Sequence, residues 1–528
     1  MKKLFWIFIA SPVLFSARIW AQETVKDTVF LIPFADTVLL DEVVVKAHKT
    51  IPMNNRWSDL QPVDLVTVAG ANGNLYKALE TLPGTQIQGE SGRLLVRGGS
   101  SDETQTYIDG MHVLNPYTST AENIPARGRY SPFMFSGINL STGGHSQEYG
   151  EALSAVLPLE TKDNSRINKV GISPSTVGIG GGGNHAFRNA SLALNLDYQN
   201  LALYNKVYPG RIDFKKPYQM FSGATQFRYT PSGSSVFKIY VGYDRTDYSN
   251  YTDNNRYLFC LGENNVYLNS TFRTAISGGW EWFSGMAYSL FDRKVDGAVT
   301  EGDHWCEKQA ELHFKTKLSK KFHPTFRMDV GFESFLRWYE TRYSQVSVAD
   351  TKEISPTIEA VFGTVSYYPV ENLKAELSFR TEYASLARKI NFSPRLSFSY
   401  SWCDLVLSAT AGRYTQLPNA KYLAQQPSLL SEACRQYNVG GLYKAAGRFY
   451  KAEFYYKKYD RLVLYTPAGL TSGGYGSSKG VDLYFEDRSL MRNLECNLSY
   501  SFNLSQRKYL EYTELTTPQS VSYTHLRA

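Results

Sequence analysis

Apolar and polar residues alternate one by one along several stretches of the chain. Residues 373–380 read Leu-Lys-Ala-Glu-Leu-Ser-Phe-Arg, and residues 237–244, 312–318 and 452–457 follow the same rule closely. Because successive side chains of a strand point to opposite faces of its sheet, each stretch predicts a strand with one apolar and one charged face. Such stretches recur from about residue 164 to residue 519.

The connections between these strands alternate in length. Short polar turns at residues 231–235, 319–321 and 369–372 contrast with long polar stretches at residues 199–217 and 343–355. Strands of about ten residues, with short turns at one end and long loops at the other, are typical of an outer-membrane barrel. A soluble all-β array would also show alternating apolar and polar residues, and it is the alternative to a barrel. The available length allows roughly 14 to 16 strands.

The first 162 residues follow a different pattern, in which short β-prone runs are separated by glycine and proline. Lys2 and Lys3 precede an apolar stretch that is too short to span a membrane, which predicts a secretory signal peptide over residues 1–22. Asp109-Gly110 stands between two β-prone runs and predicts a tight hairpin turn.

Composition narrows the class of protein further. After the signal peptide no run of about 20 apolar residues occurs, which excludes a polytopic helical membrane protein. The net charge of +7 falls to +4 without Lys2, Lys3 and Arg18, and no block of Lys and Arg predicts a nucleic-acid partner. The five cysteines are too sparse for a disulfide scaffold, so they are predicted to be single buried or lipid-facing thiols.

Four short motifs follow one another ahead of the barrel region. They contain Pro83-Gly84, Arg97-Gly98, Tyr107-Ile108-Asp109-Gly110 and Tyr149-Gly150. In this order they resemble the plug domain of TonB-dependent outer-membrane receptors, over about residues 41–162. The resemblance implies the fold class: an all-β transmembrane β-barrel, incomplete in this chain, with an N-terminal α+β plug domain in its lumen.

The resemblance also divides the chain into five segments. These are a signal peptide (residues 1–22), a periplasmic extension with a candidate TonB box (23–45), the plug domain (46–163), a partial transmembrane β-barrel (164–519) and a tail predicted to be non-native (520–528). The tail lacks the final amphipathic strand ending in Phe that such receptors use for assembly. Since their barrel has about 22 strands, we expect a fragment with an open wall, and a genuinely smaller barrel is the alternative.

The extension holds the predicted contact with the TonB energy-transducing protein. This contact is a short β-prone run made of Asp41, Glu42, Val43, Val44 and Val45. An exposed run of this kind can pair with the edge of a partner's sheet, which provides main-chain affinity and a point at which force is applied. An ordinary first strand of the plug is the alternative, and residues 36–40 are a second candidate contact.

No enzyme is predicted. Residues 476–480 fit the pattern G-x-S-x-G, but they lie between a loop and a strand rather than at a strand-to-helix turn. His145 and Glu148 could ligate a metal, although facing solvent is the commoner role, and neither a metal nor a cofactor is predicted. The barrel carboxylates are predicted to form ion pairs instead: Glu376, Glu382 and Glu453 with Lys374, Arg380 and Lys457, or with plug residues such as Arg97.

The resemblance implies a receptor in the bacterial cell outer membrane. It would import a scarce, large ligand, such as an iron chelate, cobalamin, a glycan or a peptide, by energy-coupled displacement of the plug. Its partners would be the TonB protein, outer-membrane lipid and a small or medium-sized extracellular ligand, with no nucleic acid. An outer-membrane barrel that binds or adheres without active transport is the alternative, and a soluble periplasmic β-protein is a third hypothesis.

Overall fold

A computed structural model gives the arrangement of most of the chain. It describes residues 56–60, 68, 71, 73–86, 91–119, 126–162, 168–208, 213–251, 257–345, 348–445, 447–491, 494–516 and 522–527. Over this part of the chain, no helix is both long enough and apolar enough to cross a membrane. The predicted signal peptide and the candidate TonB box lie outside the described residues.

The N-terminal part of the described chain folds into a small α+β domain, the plug. Its strands are β1 (Arg56–Leu60), β2 (Thr85–Gln86), β3 (Leu95–Val96), β4 (Thr104–Ile108), β5 (Met111–Val113), β6 (Phe135–Ser141) and β7 (Ala155–Thr161). Five of them form a sheet in the order β1-β6-β7-β4-β5, with β4 and β7 parallel, while β2 pairs with β3. Helix α1 (Leu75–Leu79) begins after Asn74, whose side chain accepts a hydrogen bond from the backbone N–H of Tyr76.

The rest of the described chain forms one large antiparallel sheet, the wall, which has twenty strands in the described residues. They are β8 (Lys169–Ser175), β9 (Gly178–Ala186), β10 (Ala190–Asn200), β11 (Phe214–Ser232), β12 (Ser235–Tyr251), β13 (Leu258–Ile276), β14 (Trp280–Asp296), β15 (His304–His323), β16 (Phe326–Gln345), β17 (Val348–Ile354), β18 (Thr357–Val370), β19 (Leu373–Ala384), β20 (Lys389–Trp402), β21 (Leu405–Gln416), β22 (Glu432–Ala445), β23 (Arg448–Thr466), β24 (Gly469–Met491), β25 (Leu494–Tyr509), β26 (Tyr512–Thr516) and β27 (Ser522–Arg527). The helices α2 (Ala202–Val207) and α3 (Ala420–Leu423) lie in connections between these strands.

The predicted alternation of faces is confirmed along the wall. In β12, Tyr240 is buried while Val241 is exposed; in β19, Arg380 is buried while Leu377 and Phe379 are exposed. The charged face therefore points inward to the plug and the apolar face points outward. The run of glycines in β9 is part of this sheet.

The two ends of the wall differ, as the sequence predicts. At one end, the short-turn end, neighbouring strands are joined tightly, and Val370 pairs with Leu373 across such a turn. At the other end, the long-loop end, connections include residues 201–213 and 417–431, which contain α2 and α3. This asymmetry gives the wall a direction.

Three details of the predicted wall are wrong. Residues 319–321 lie inside β15, because the turn follows His323. Residues 343–355 form a β-hairpin rather than a loop, since β17 pairs back onto the end of β16. The wall has twenty strands rather than 14 to 16, because tight turns use little chain between them.

The predicted fold class, a plug domain with an incomplete barrel, is confirmed. The strand order returns from β27 to β8, and β25 pairs with β24, β26 and β27 in defined register. Among the described residues, no register is defined between β27 and β8, and all seven residues of β8 are exposed. Part of the predicted tail forms β27, because its backbone pairs with β25 even without an apolar face.

The plug has a core of its own that continues into the wall. Leu75 and Leu79 of α1 pack with Ile138 and Leu157 of the sheet, and all four are buried. The wall adds Tyr240, Tyr267 and Ala287 to the same cluster. The plug is thereby fixed against β12, β13 and β14.

Candidate functional site

The Asp109-Gly110 turn joins β4 to β5, as predicted from the sequence. Both residues have positive φ, 49° and 84°, which is the backbone geometry that favours Asp-Gly in tight hairpins. The Asp109 carboxylate accepts hydrogen bonds from the backbone N–H (3.0 Å) and the hydroxyl (2.6 Å) of Thr161. It also forms an ion pair with Lys238 of β12 at 3.2 Å. The turn thus ties the plug hairpin to the end of β7 and to the wall.

Arg97 is the most extensively held charge of the plug motifs. It is fully buried, and its guanidinium donates to Asp482 (2.8 Å), Glu453 (2.9 Å) and Asn438 (3.0 Å) of three wall strands. The prediction that Glu453 pairs with Arg97 is confirmed. Arg97 and Gly98 have positive φ, 50° and 69°, so a turn directs the side chain into the wall.

Pro83-Gly84 meets the same part of the wall from the end of α1. The Gly84 N–H donates to the Ser501 hydroxyl of β25 at 2.7 Å, and the Gly84 carbonyl accepts from the Arg97 N–H at 2.9 Å. Gly84 has φ 84°, and a Cβ there would lie 2.8 Å from an Asp482 oxygen. The first two motifs therefore form one contact with the wall.

The remaining motif residues pack around a buried tyrosine. The Tyr107 hydroxyl donates to the Gly150 carbonyl at 2.8 Å, and the Tyr149 ring meets the Tyr107 ring edge-on with centroids 4.8 Å apart. A Cβ on Gly150 would lie 2.3 Å from an Arg380 nitrogen of the wall. The Ile108 carbonyl accepts a hydrogen bond from the Asn269 amide of the wall (3.0 Å).

Several charged contacts between plug and wall were not foreseen from the sequence. Each joins residues more than a hundred positions apart, and no local pattern marks them. They are Arg129 with Asp244 and Glu263, Glu103 with Arg507, Glu148 with Lys317, Glu151 with Arg337, and His112 with Glu311.

The structure also places the other predicted ion pairs, the G-x-S-x-G pattern and the cysteines. Lys374 pairs with Glu376 and Arg380 with Glu382, as predicted, whereas Lys457 donates to the Ser154 hydroxyl rather than to Glu453. Ser478, of the G-x-S-x-G pattern, lies in β24 and donates to the Arg97 carbonyl at 2.9 Å. All five cysteines are free thiols.

The candidate metal ligands do not converge. His145 is buried with its ring beside Tyr414, whereas Glu148 pairs with Lys317 at 2.5 Å. Within the described residues, no group of three or more His, Cys, Asp or Glu side chains could hold a metal ion. The predicted TonB contact, Asp41 to Val45, lies outside the described residues.

Two apolar clusters lie inside the wall at the long-loop end. In the first, Leu423 and Leu429 of the 417–431 segment pack on Phe335 and Ile358 of the wall. The second is rich in aromatic side chains and contains Tyr218, Tyr248, Leu261, Val295, Phe214, Phe259 and Trp305. The lumen is therefore apolar near the long loops and charged around the plug.

Comparison with known proteins assigns the N-terminal domain. Residues 66–156 match the family model of the TonB-dependent Receptor Plug Domain. The matched span contains all four motifs, from Pro83-Gly84 to Tyr149-Gly150, so the resemblance seen in the sequence is confirmed. No curated protein matches the chain in sequence.

Solved structures match the plug and wall together. The siderophore receptor PirA from Pseudomonas aeruginosa is 12% identical, with a TM-score of 0.63, and the match covers 86% of this chain and 86% of PirA. The alcaligin outer-membrane receptor FauA from Bordetella pertussis is 12% identical with a TM-score of 0.67, and the match covers 91% of this chain and 84% of FauA. The copper transporter OprC is 12% identical with a TM-score of 0.68, and the match covers 86% of this chain and 81% of OprC. At these identities the similarity shows the fold, which is that of TonB-dependent outer-membrane receptors.

Proposed function

We propose that the protein is a TonB-dependent receptor of the bacterial outer membrane that imports a scarce, large ligand by energy-coupled displacement of the plug. The observation that supports this most is the position of the plug, which is held inside the wall by charged contacts on several sides. Arg129 contacts β12 and β13, Arg97 contacts β23 and β24, and Glu103 contacts β25. A lumen filled in this way offers no passive pore to a large ligand.

The energetics of these contacts favour a driven opening. Arg97, Glu453 and Asp482 are all buried, and removing one partner of a buried ion pair typically costs about 3–5 kcal/mol because the other charge is left uncompensated. Thermal motion alone would break several such contacts at once only rarely. A mechanical pull on the segment ahead of the plug, at Asp41 to Val45, would supply the work.

The direction of the wall sets the orientation that we propose. In outer-membrane barrels short turns face the periplasm and longer loops face outward. The short-turn end would then face the periplasm, and the apolar clusters near the long loops would face the ligand. PirA and FauA are named as siderophore and alcaligin receptors, which favours an iron chelate among the four predicted ligand classes.

Deletion of residues 36–45 tests the transport mechanism. Cells would first be screened for binding of a labelled iron chelate, cobalamin, glycan and peptide. For the ligand that binds, the deletion should abolish uptake and leave surface binding within a few-fold, because the segment transmits force without contacting ligand. Deletion of residues 23–32 is the matched control and should preserve uptake. Unchanged uptake after deletion of residues 36–45 would refute the mechanism and favour a binding protein that transports nothing.

A further inference from the structure

A cavity of about 230 Å³ lies between the plug and the wall near the short-turn end. The Asp109-Gly110 turn, Tyr149 and Pro158 of the plug form one side, and β11 to β15 form the other. Arg273 and Glu160, which line it, are exposed, so the cavity opens to solvent. It is smaller than a typical ligand pocket of about 300–1,000 Å³, and therefore suits one charged group of a ligand rather than a whole one.

The charges that line this cavity are fully segregated. Its five cations all belong to the wall and are called the basic stripe: Arg228, Lys238, Arg273, Lys315 and Lys317. Its three carboxylates all belong to the plug: Asp109, Glu148 and Glu160.

Plug carboxylates occupy part of the basic stripe in this structure. Lys238 pairs with Asp109 at 3.2 Å and Lys317 pairs with Glu148 at 2.5 Å, while Lys315 donates to the Glu148 carbonyl. When the plug moves away, three negative charges leave and five positive charges stay on the wall, where Lys315 keeps the Glu333 carboxylate of β16 at 3.5 Å. Buried or partly buried charges of one sign are costly unless they are compensated, so the stripe would then attract an anion.

Two other contacts of the plug, at Arg97 and Arg129, carry the opposite arrangement. At Arg97 the plug provides the cation and the wall provides Glu453 and Asp482. At Arg129 the wall again provides carboxylates, from β12 and β13. A displaced plug would leave acidic wall at these two positions, which repels an anionic solute. At Glu103 and Glu151 it would uncover one wall cation each, Arg507 and Arg337, whereas the basic stripe has five cations together.

We propose that the basic stripe is a binding surface for the anionic oxygen groups of a ligand, carboxylate or phosphate, and that the plug carboxylates mask it until the plug moves. The proposal rests on the proposed transport function for its role, but binding itself can be measured without transport. The ligand's anionic groups replace Asp109 and Glu148 as partners of the wall cations. The ligand and the plug carboxylates therefore bind the same wall cations in turn.

Titration of citrate and of inorganic phosphate into the purified full chain in detergent micelles tests the proposal. The double variant Glu148→Gln/Glu160→Gln unmasks the stripe without touching the Asp109 turn, and should bind at least one of the two anions about fivefold or more tightly than the unaltered chain. Adding Arg273→Gln should reverse this gain. Lys321→Gln, an exposed cation at the same end of the wall but outside the cavity, is the matched control and should change nothing.

Equal affinity for both anions in the unaltered chain and the double variant would overturn the proposal, as would a gain that survives Arg273→Gln. Near-ultraviolet circular dichroism checks that each variant keeps its fold. Should the double variant not fold, Arg273→Gln alone replaces it, since Arg273 is exposed; it must weaken binding of the anion while Lys321→Gln does not. Loss of uptake in the 36–45 deletion bears on transport alone, so either proposal can fail while the other stands.

Discussion

Two residues with unusual backbone conformations aim the charged contacts of the plug. Arg97 and Asp109 both have positive φ, which costs an L-residue about 1–2 kcal/mol. The cost is offset because Arg97 reaches three wall side chains from this turn and Asp109 reaches Thr161 and Lys238. Two of the four motifs recognised in the sequence are therefore turns that direct a charge, and in each the next residue is a glycine that continues the left-handed backbone.

Replacing Gly98 by alanine should weaken the docking of the plug. Gly98 has φ 69°, and a Cβ there would lie 2.8 Å from side-chain atoms of Ser478 and Ser505. Backbone strain at a positive φ and overpacking together predict that the substitution lowers the stability of the docked plug by about 1–3 kcal/mol. Hydrogen exchange of buried plug amides would measure it. Gly233→Ala, where a Cβ would meet nothing within 4 Å, is the control; equal exchange in both variants would contradict the prediction.

The Glu103–Arg507 contact predicts how docking depends on pH. Burial alone would raise the pKa of Glu103, but the Arg507 guanidinium at 2.5 Å holds this pKa below its usual range. Because the pKa of Glu103 is lower in the folded state, its ion pair stabilises the folded protein at pH values above the unfolded pKa of about 4.3. This stabilisation is lost as the pH falls through the folded pKa. The contribution of the Glu103–Arg507 contact to plug docking should stay constant from about pH 8 to 5 and weaken below about pH 4.

The Glu103→Gln variant isolates this contribution. It should be less stable at pH 7, because Arg507 is left without its buried partner, and should lose part of the acid dependence. Hydrogen exchange of the plug, corrected for the intrinsic effect of pH, is the measurement. If the variant and the unaltered chain followed the same curve below pH 5, another carboxylate would be responsible.

At the scale of elements, the 417–431 segment covers one side of the lumen. Its Leu423 and Leu429 pack on the wall, while the Leu417 N–H donates to Glu151 at 3.1 Å and the Asn419 amide donates to Asp102 at 3.2 Å, both in the plug. The segment is therefore held by the wall and the plug together. Its position should respond when either contact is lost.

Leu423→Asp should detach this segment from the wall. Leu423 is 1% exposed, and an unpaired carboxylate there cannot be solvated while the segment stays in place. Hydrogen exchange of the backbone amides of residues 420–429 should therefore rise strongly. Gln425→Asp adds the same charge at an exposed position of the segment and should leave hydrogen exchange unchanged; equal exchange in both variants would mean that Leu423 does not hold the segment in place.

At the scale of the whole molecule, alternation predicted the wall and its inward charges, and together with the plug resemblance it offered Arg97 as one partner for the wall carboxylates. It could not predict which plug charge meets which strand, because periodicity assigns a residue to a face but not to a partner. Arg129 and Glu263, for example, are 134 positions apart. The strand count failed for a related reason: tight turns leave little mark in a sequence of alternating residues, as at His323.

A charge placed on the outer face should destabilise the wall more strongly the closer it lies to the membrane midplane. Met286 is 54% exposed and lies on the outer face between Trp282 and Tyr288, so we expect it near the membrane midplane. Met286→Arg should cost about 2–4 kcal/mol, whereas Ile276→Arg, at the short-turn end, should cost about 0–1 kcal/mol. Urea unfolding in lipid vesicles is the measurement. Equal costs at the two positions would argue against a membrane around this face.

The contacts between the plug and the last long strands also constrain the order of assembly. Gly84 and Ser501 are 417 positions apart, and Arg97 and Asp482 are 385 apart. Contacts between such distant positions form slowly, because a long stretch of chain must be ordered first. A plug that has already folded offers the late strands a template. We expect Ser501→Ala to slow refolding more than it speeds unfolding; the reverse would mean that plug and late strands meet only after the wall has curved.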